Sequence, residues 1–158
     1  TMGVGVPFAI GCKLANPTYN VICIDGDSSF NMTSNELQTI LENKIPIKII
    51  ILNDSRQQMV YIWQKLFHNN NIIGTENINP NYELLAKSYG LDTITCNDKS
   101  SVDSCIQKIL LNKRAILGVF NIEPEMCFPL VSPGKALDEM IMNNDDIDKI
   151  DNKQYAPN

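Results

Sequence analysis

Two groups of acidic and small polar residues follow the first two strand-like runs of this sequence. The first, Gly-Asp-Ser-Ser at residues 26–29, ends a short apolar run, and the second, Asn-Asp-Ser at residues 53–55, ends the run IKIIIL. Asp27 and Asp54 lie 27 positions apart, a length that suits a strand end, a helix and a second strand. A βαβ unit of this kind returns the chain to the same edge of its sheet, so we expect both carboxylates there.

These residue types suit a magnesium ion that is shared with the phosphates of a ligand. Oxygen atoms are the ligands that Mg²⁺ prefers, and ligands of open α/β sheets collect at the carboxyl ends of the strands. Ser28 and Ser29 are small enough to let a diphosphate approach the backbone, and their hydroxyl and N–H groups can donate to it. Similar residues also follow strands that bind nothing, so the spacing alone leaves a binding site and an ordinary loop as alternatives.

The elements that must position these residues alternate along the chain. Strand-like runs occupy residues 21–24, 47–52, 93–96 and 115–122, and segments of helical period lie at residues 3–15, after Thr33, around Trp63, after Pro80 and after Val102. This alternation predicts an α/β fold, a doubly wound, mainly parallel sheet with helices on both faces.

Some local features are predicted more closely. Thr33 and Glu36 have the spacing of a capping box at a helix start. A helical stripe that is typical of core packing consists of Met59, Val60, Trp63, Leu66 and Phe67. Residues 69–79 have no period and are predicted to form a loop, whereas a short helix is predicted to carry Ala136, Leu137, Met140 and Ile141.

Composition excludes several classes of function. The 158 residues carry a net charge of −5 with a sequence pI near 4.8, which argues against a nucleic-acid interface and against a polybasic membrane surface. No apolar run is long enough to cross a bilayer. We expect one domain over residues 1–142 and a polar, disordered tail over residues 143–158. The opening TMGVGVPFAIG already has a glycine-rich apolar pattern, so we expect a fragment of a longer protein.

The cysteines and the histidine are not arranged as a metal site. The five cysteines include no C-x-x-C pair, and His68 is the only histidine, so zinc binding is not expected. The cysteines are predicted to be buried free thiols. His68 falls at a predicted helix end and is expected at the surface rather than in catalysis.

Residues 24–54, IDGDSSFNMTSNELQTILENKIPIKIIILND, resemble the thiamine-diphosphate motif, which begins Gly-Asp-Gly and closes with Asn-Asn. The flanking segments narrow the resemblance to acetolactate synthase (acetohydroxyacid synthase); they are TMGVGVPFAIGCKLANP, MVYIWQKLF, NPNYELLAKSYGL and PLVSPGKALDEM. The likeness runs over residues 1–142 and covers the C-terminal, diphosphate-binding domain of that family. The fold expected from it is the thiamine-diphosphate-binding fold.

The resemblance implies a metal and diphosphate site. Asp27 and Asp54 are expected to bind Mg²⁺ through their side chains, and Arg56 through its carbonyl oxygen. Ser28 and Ser29 are expected to lie on the diphosphate of thiamine diphosphate.

The resemblance also implies contacts with the rest of the cofactor and with substrate. Met2 is expected near the pyrimidine, Met59 under the thiazolium side, and Trp63 at a substrate channel where the family also binds herbicides. The remaining residues expected to line the cofactor are Gln57, Gln58 and Val60. No catalytic residue is expected in this chain, because the glutamate that activates the cofactor belongs to an upstream domain.

The implied reaction is decarboxylation of pyruvate and its condensation with a second 2-oxo acid, which gives acetolactate or acetohydroxybutyrate for branched-chain amino-acid synthesis. The longer family member is expected to bind FAD and to form a homodimer whose subunits share the active site, with a regulatory subunit as a further partner. No nucleic acid or membrane partner is expected. The location would be the cytoplasm in a bacterium, and a mitochondrion or plastid in a eukaryote.

Three positions depart from the family pattern. Ser28 and Gln58 stand where glycine is usual, and Asp54 stands where asparagine is usual. The alternatives are therefore another thiamine-diphosphate enzyme (a pyruvate oxidase, a decarboxylase or a glyoxylate carboligase) or a non-catalytic relative that has lost the cofactor. A plain Rossmann domain is disfavoured, because no G-x-G-x-x-G follows the first strand.

Overall fold

Four parallel strands form the central sheet of the computed structural model, which describes residues 1–149. They are β1 (Ile22–Gly26), β2 (Lys48–Asn53), β3 (Asp92–Cys96) and β4 (Ile116–Asn121), in the spatial order β1-β2-β4-β3. The apolar runs of the two central strands, β2 and β4, are typical of parallel strands that helices cover. The predicted α/β class is confirmed.

One helix precedes β1, and the others lie in the connections between the strands. Within the described residues they are α1 (Gly5–Ala15), α2 (Asp27–Met32), α3 (Leu37–Asn43), α4 (Gln58–Phe67), α5 (Tyr82–Ser88) and α6 (Val102–Leu111). Asn81 caps the start of α5, because its side chain accepts a hydrogen bond from the Leu84 N–H at 2.9 Å. The same helix stops before Gly90, whose φ of 71° lies in the left-handed region that favours glycine.

Residue contacts divide the chain into two compact units. The single domain over residues 1–142 stays a prediction. Unit 1 comprises Thr1–Ser55 and Ile78–Glu123 and holds the four-stranded sheet with α1, α2, α3, α5 and α6. Unit 2 comprises Arg56–Asn77 and the described residues from Pro124 onward. It holds α4 and a small antiparallel pair, β5 (Leu130–Val131) and β6 (Met140–Ile141).

The core of unit 1 lies on both faces of the sheet. Successive residues of a strand point to opposite faces, and the neighbours in β2 accordingly divide between two apolar clusters. Ile49 and Ile51 join the cluster that contains residues of α1, α3 and α5, whereas Ile50 packs against the cluster built on Cys105 and Ile109 of α6. Helices therefore cover both faces, as the sequence predicted.

The core of unit 2 is built on α4. Ile62, Leu66 and Phe67 are buried with residues of β5 and β6. The predicted stripe is wrong at its amino end, since Met59 and Val60 are 49% and 42% exposed. The buried face of α4 runs through Ile62 and Leu66, four positions apart, and this leaves the first turn outside the core.

Two local predictions are wrong for identifiable reasons. Thr33 makes no side-chain cap hydrogen bond, because the helix that follows β1 begins earlier, at Asp27, and Thr33 lies at its end. The predicted helix at residues 136–141 is absent from the described structure. Leu137 is 74% exposed, so no apolar helical face forms there, and Met140–Ile141 pairs with β5 instead.

The predicted disordered tail falls mostly outside the described residues. Within it the structure places a 3₁₀ turn at Asn144–Lys149, and residues 150–158 lie outside the described part of the chain. His68 is exposed at the end of α4, which agrees with its expected surface position.

The cysteines are free thiols, but their burial differs from the prediction. Cys23, Cys96 and Cys105 are buried, whereas Cys12 and Cys127 are exposed. Burial, and then the charge of Asp25, raises the pKa of the Cys23 thiol to about 11.

We therefore expect two of the five thiols of the native chain to react with iodoacetamide well before the others, because alkylation requires an accessible thiolate. Peptide mass spectrometry after a short pulse should find label at Cys12 and Cys127, and the unfolded chain is the control in which all five react. Early labelling of Cys23 would contradict the burial of that strand.

Candidate functional site

Asp27 lies where β1 passes into α2, and it is only 1% exposed. Its Oδ2 accepts a hydrogen bond from Asn79 Nδ2 at 2.5 Å. The same nitrogen donates to Oδ1 of Asn53, the last residue of β2, at 2.8 Å. Because β1 pairs with β2 in parallel, with Gly26 opposite Leu52, the two strand ends predicted to meet at one edge do so.

The serines after Asp27 lie in the first turn of α2. Ser28 is buried and helical, so the serine that replaces the usual glycine needs no positive φ. Ser29 Oγ accepts a hydrogen bond from the Gly3 N–H at 2.9 Å. This contact ties the segment that carries Met2, which is 41% exposed, to the Asp27–Ser29 turn.

Asp54 follows the end of β2 and is partly buried. The next residue, Ser55, has a φ of 57°, in the left-handed region that a serine adopts at a cost of about 1–2 kcal/mol. Strain of this kind concentrates at functional sites, where surrounding structure maintains it. The backbone after β2 is thus held in a specific turn directly beside a predicted metal ligand.

Residues 56–60, which the resemblance placed on the cofactor, belong to unit 2 and are anchored there. The Gln57 N–H donates to the Thr75 carbonyl at 2.8 Å, and Arg56 pairs with Glu76 at 3.2 Å. The Arg56 guanidinium also lies 4.2 Å from the centre of the Tyr61 ring, within cation–π distance. The predicted metal ligand of Arg56 is its carbonyl, and that role stays a prediction.

Gln58, the unusual residue of this stretch, is accommodated at the first turn of α4. Its Nε2 donates to the Glu125 carbonyl at 2.7 Å. Its Oε1 is buried and has no hydrogen-bond partner among the described residues. Met59 and Val60, the next residues, are exposed apolar side chains, as a ligand-facing role requires.

Trp63 is partly buried and packs against the core of unit 2. Its ring meets that of Phe67 edge to face, with 4.7 Å between centroids and 67° between planes. Packing on the core therefore accounts for part of its surface, and its position at a substrate channel stays a prediction.

A row of asparagine side chains runs along the carboxyl edge of the sheet, and the sequence analysis missed it. Asn121 donates to Asn97 at 2.6 Å, Asn53 donates to Asn121 at 2.7 Å, and Asn79 donates to Asn53. Asn31 donates in turn to Asn79 Oδ1 at 3.0 Å. The chain is rich in asparagine, so composition does not single out these residues. The one sequence signal for the row is that Asn53 and Asn121 each end a strand.

Two cavities of unit 1 lie at opposite edges of the sheet. One, of about 230 Å³, lies at the carboxyl edge and is lined by residues that include Asn53, Tyr82 and Asn121. The other, of about 450 Å³, lies at the amino edge between Lys44, Tyr89 and neighbouring residues, and none of the predicted site residues lines it. The first lies at the edge where Asp27 lies, although none of the predicted site residues lines it.

The donor set fits Mg²⁺ by its chemistry. Asp27 and Asp54 supply carboxylate oxygens after two adjacent parallel strands, and oxygen is the donor that Mg²⁺ prefers. The described residues contain no group of three or more His, Cys, Asp or Glu side chains that could hold a metal alone. Two carboxylates suit an ion that keeps water and takes phosphate oxygens from a ligand.

Residues 1–119 match the family described as "Thiamine pyrophosphate enzyme, C-terminal TPP binding domain". The chain belongs to this family. The match contains β1, β2, β3, the first residues of β4, the Asp27 turn and α4, so the parallel sheet is that of a TPP-binding domain.

Similar proteins include acetolactate synthases of several organisms. The chain is 38% identical to the acetolactate synthase large subunit of Porphyra purpurea over 144 residues, which cover 89% of this chain and 24% of that protein. It is 39% identical to the mitochondrial acetolactate synthase of Schizosaccharomyces pombe over 144 residues (90% and 22%). Identity to the mitochondrial catalytic subunit of Saccharomyces cerevisiae is 35% over 150 residues (94% and 22%). This TPP-binding domain thus spans about a quarter of the length of its relatives.

Proposed function

We propose that this chain is the cofactor-anchoring domain of an acetolactate synthase. In the longer protein, pyruvate and a second 2-oxo acid would be its substrates, and FAD, a second copy of the subunit and a regulatory subunit its further partners. The observation that carries the proposal is the buried Asp27 carboxylate, joined through Asn79 to the end of β2 within a TPP-binding domain.

Thiamine diphosphate, when bound, supplies the stabilisation of negative charge that decarboxylation of a 2-oxo acid requires. The chain's own residues bind and orient it. Asp27 and Asp54 would hold Mg²⁺, Ser28 and Ser29 would donate to the diphosphate, and the exposed side chain of Met59 would support the thiazolium end. Met2, Gln57, Gln58 and Val60 would complete the lining, and Trp63 would face the substrate.

Supporting observations favour a synthase over the alternatives. The relatives named above are all acetolactate synthases, and two of them are described as mitochondrial. Gln58, which argued for a non-binding relative, is held by Glu125 without disturbing the start of α4.

No helix of the described chain is long and apolar enough to span a membrane.

The two proposed metal ligands should respond differently to the same substitution in the full-length protein. Asp27→Asn removes a buried carboxylate and should weaken both Mg²⁺ and thiamine diphosphate. Asp54→Asn should weaken Mg²⁺ but tighten thiamine diphosphate at fixed Mg²⁺. The reason is that two carboxylates neutralise the ion, whereas a carboxylate and an amide leave it one positive charge for the diphosphate.

The size of the Asp54 effect follows from the charge. One charge at about 5 Å is worth on the order of 3 kcal/mol at an effective dielectric of about 20. Solvent and rearrangement reduce this to about 1 kcal/mol, roughly a fivefold change in affinity. Calorimetric titration of Mg²⁺ and of thiamine diphosphate measures this change in affinity. Asp103→Asn is the control, because Asp103 is an exposed residue in the first turn of α6. No binding of thiamine diphosphate by the unmodified protein would refute the proposed function.

A further inference from the structure

We propose that Asn79 is a positioning residue of the metal site. Its amide would hold the Asp27 carboxylate in the orientation that binds the divalent cation, and this inference rests on the proposed function. Asn79 lies outside both sequence clusters, 52 positions from Asp27, and nothing in the thiamine-diphosphate motif points to it.

The hydrogen bonds of Asn79 use its whole side chain. Nδ2 has two hydrogens, and it donates to Asp27 Oδ2 at 2.5 Å and to Asn53 Oδ1 at 2.8 Å. Oδ1 accepts from Asn31 Nδ2 at 3.0 Å. Two acceptor oxygens face Nδ2 and one N–H donor faces Oδ1, so a single orientation of the Asn79 amide satisfies all three contacts.

The anchor behind Asn79 is itself fixed. Tyr82 is buried at the start of α5, and its hydroxyl donates to Asn31 Oδ1 at 3.1 Å. Asn31 in turn lies on α2, the helix that Asp27 begins. A continuous series of hydrogen bonds therefore joins Tyr82 of α5 to Asn31, Asn31 to Asn79, and Asn79 to the Asp27 carboxylate.

The consequence for metal binding follows from burial. Asp27 is 1% exposed, so water has little access to orient or stabilise its charge, and protein donors must do so. A donated hydrogen bond on one carboxylate oxygen restricts rotation of the group. Partners of metal-binding carboxylates act in this way, and their loss typically weakens metal binding by 10- to 100-fold.

A titration of the full-length protein with Mn²⁺, in the presence of saturating thiamine diphosphate, tests the role. Electron paramagnetic resonance counts the free Mn²⁺, so the readout is affinity rather than activity. Asn79→Ala should lower the affinity about tenfold. Asn79→Gln keeps the amide but moves it by one methylene, so it cannot span both acceptors at the same distances, and it should also lower the affinity.

Asn121→Ala is the matched control, since Asn121 belongs to the same row and its hydrogen bonds join it to Asn53 and Asn97. Its Mn²⁺ affinity should change by less than about twofold, and thermal melting of each variant checks that it folds. Should Asn79→Ala fail to fold, Asn79→Gln gives the result. Unchanged affinity in the Asn79 variants, or an equal loss in Asn121→Ala, would overturn the role of Asn79 alone. Absence of Mn²⁺ binding by the unmodified protein would overturn the proposed function together with it.

Discussion

Replacing Gly5 by alanine is expected to lower the free energy of unfolding by about 2–3 kcal/mol. A Cβ atom at this position would lie 2.6 Å from Asp25 Oδ2, 3.0 Å from Asp25 Cγ and 3.1 Å from Cys23 Sγ. Cys23 is buried in β1, and the other oxygen of Asp25 accepts a hydrogen bond from the Gly26 N–H at 3.0 Å. Relief of the contact therefore requires the Asp25 side chain to rotate, which breaks its hydrogen bond with the Gly26 N–H, or α1 to move away from β1.

Gly11 in the same helix provides the control for this effect. A Cβ atom there would have no neighbour within 4 Å outside its own helical turn among the described residues, and the residue is exposed. Gly11→Ala should raise the free energy of unfolding by about 1 kcal/mol, since alanine has the higher helix propensity. Urea unfolding of both variants should thus separate them by about 3–4 kcal/mol. Equal stability of the two variants would show that α1 does not approach β1 as closely as the structure has it.

The strands, and the position of Asp27 at the carboxyl edge of the sheet, were predictable because both depend on short segments of sequence. The run IKIIIL identifies a buried parallel strand by its own composition, and the polar residues that follow it must then lie at the carboxyl edge. The start of α2 was not predicted, since Thr33 and Glu36 match a capping box that the chain does not use. A helix that starts directly at the end of a strand leaves no loop residue to signal it.

The contacts of Asn79 could not be predicted, because they depend on how an aperiodic segment folds back on the sheet. Residues 69–79 have no hydrophobic period, and the only local signal is that Pro80 and the N-cap Asn81 follow. The first turn of α4 shows the converse. Hydrophobic spacing placed Met59 and Val60 in the core, whereas the family resemblance placed them on a ligand, and only their exposure in the structure separates the two readings.

Two buried lysines, Lys13 and Lys48, bind backbone carbonyl groups near the amino edge of the sheet, and the sequence pattern did not predict their burial. Lys48 is 2% exposed, and its Nζ donates to the carbonyls of Asn112 at 2.5 Å and Arg114 at 2.8 Å, in the connection from α6 to β4. Lys13 donates similarly to the carbonyls of Pro17 and Tyr19 in the connection from α1 to β1. The ammonium group of Lys48 therefore holds the α6–β4 connection against the sheet, and that of Lys13 holds the α1–β1 connection against its own helix.

Burial, and then the nearby charge of Lys13, lowers the pKa of Lys48 below its ordinary value of 10.5, and Asp92 opposes this shift. The native chain therefore releases this proton at a lower pH than the unfolded chain does. By linkage, the contribution of Lys48 to stability rises with pH until both forms are neutral above about pH 10.5. The pKa values of Cys23 and Tyr82 are raised by burial to about 11 and about 12, so these groups lower stability as the pH rises above about 9.

We expect Lys48→Met to lower the free energy of unfolding by about 3 kcal/mol at pH 7, because two carbonyl groups lose a charged donor in a site that water does not reach. Removal of the ammonium desolvation cost offsets part of this loss. Lys87→Met is the control, since Lys87 is exposed and pairs only with Glu83 on the surface of α5; it should change stability by less than about 0.5 kcal/mol. The deficit of Lys48→Met should also grow between pH 7 and pH 10, because the unmodified chain gains the linkage term and the variant does not. Cys23 and Tyr82 affect both chains alike and cancel in the difference. A deficit that is small at pH 7 would mean that Lys48 does not hold the α6–β4 connection. A deficit that shrinks as the pH rises would contradict the lowered pKa of Lys48.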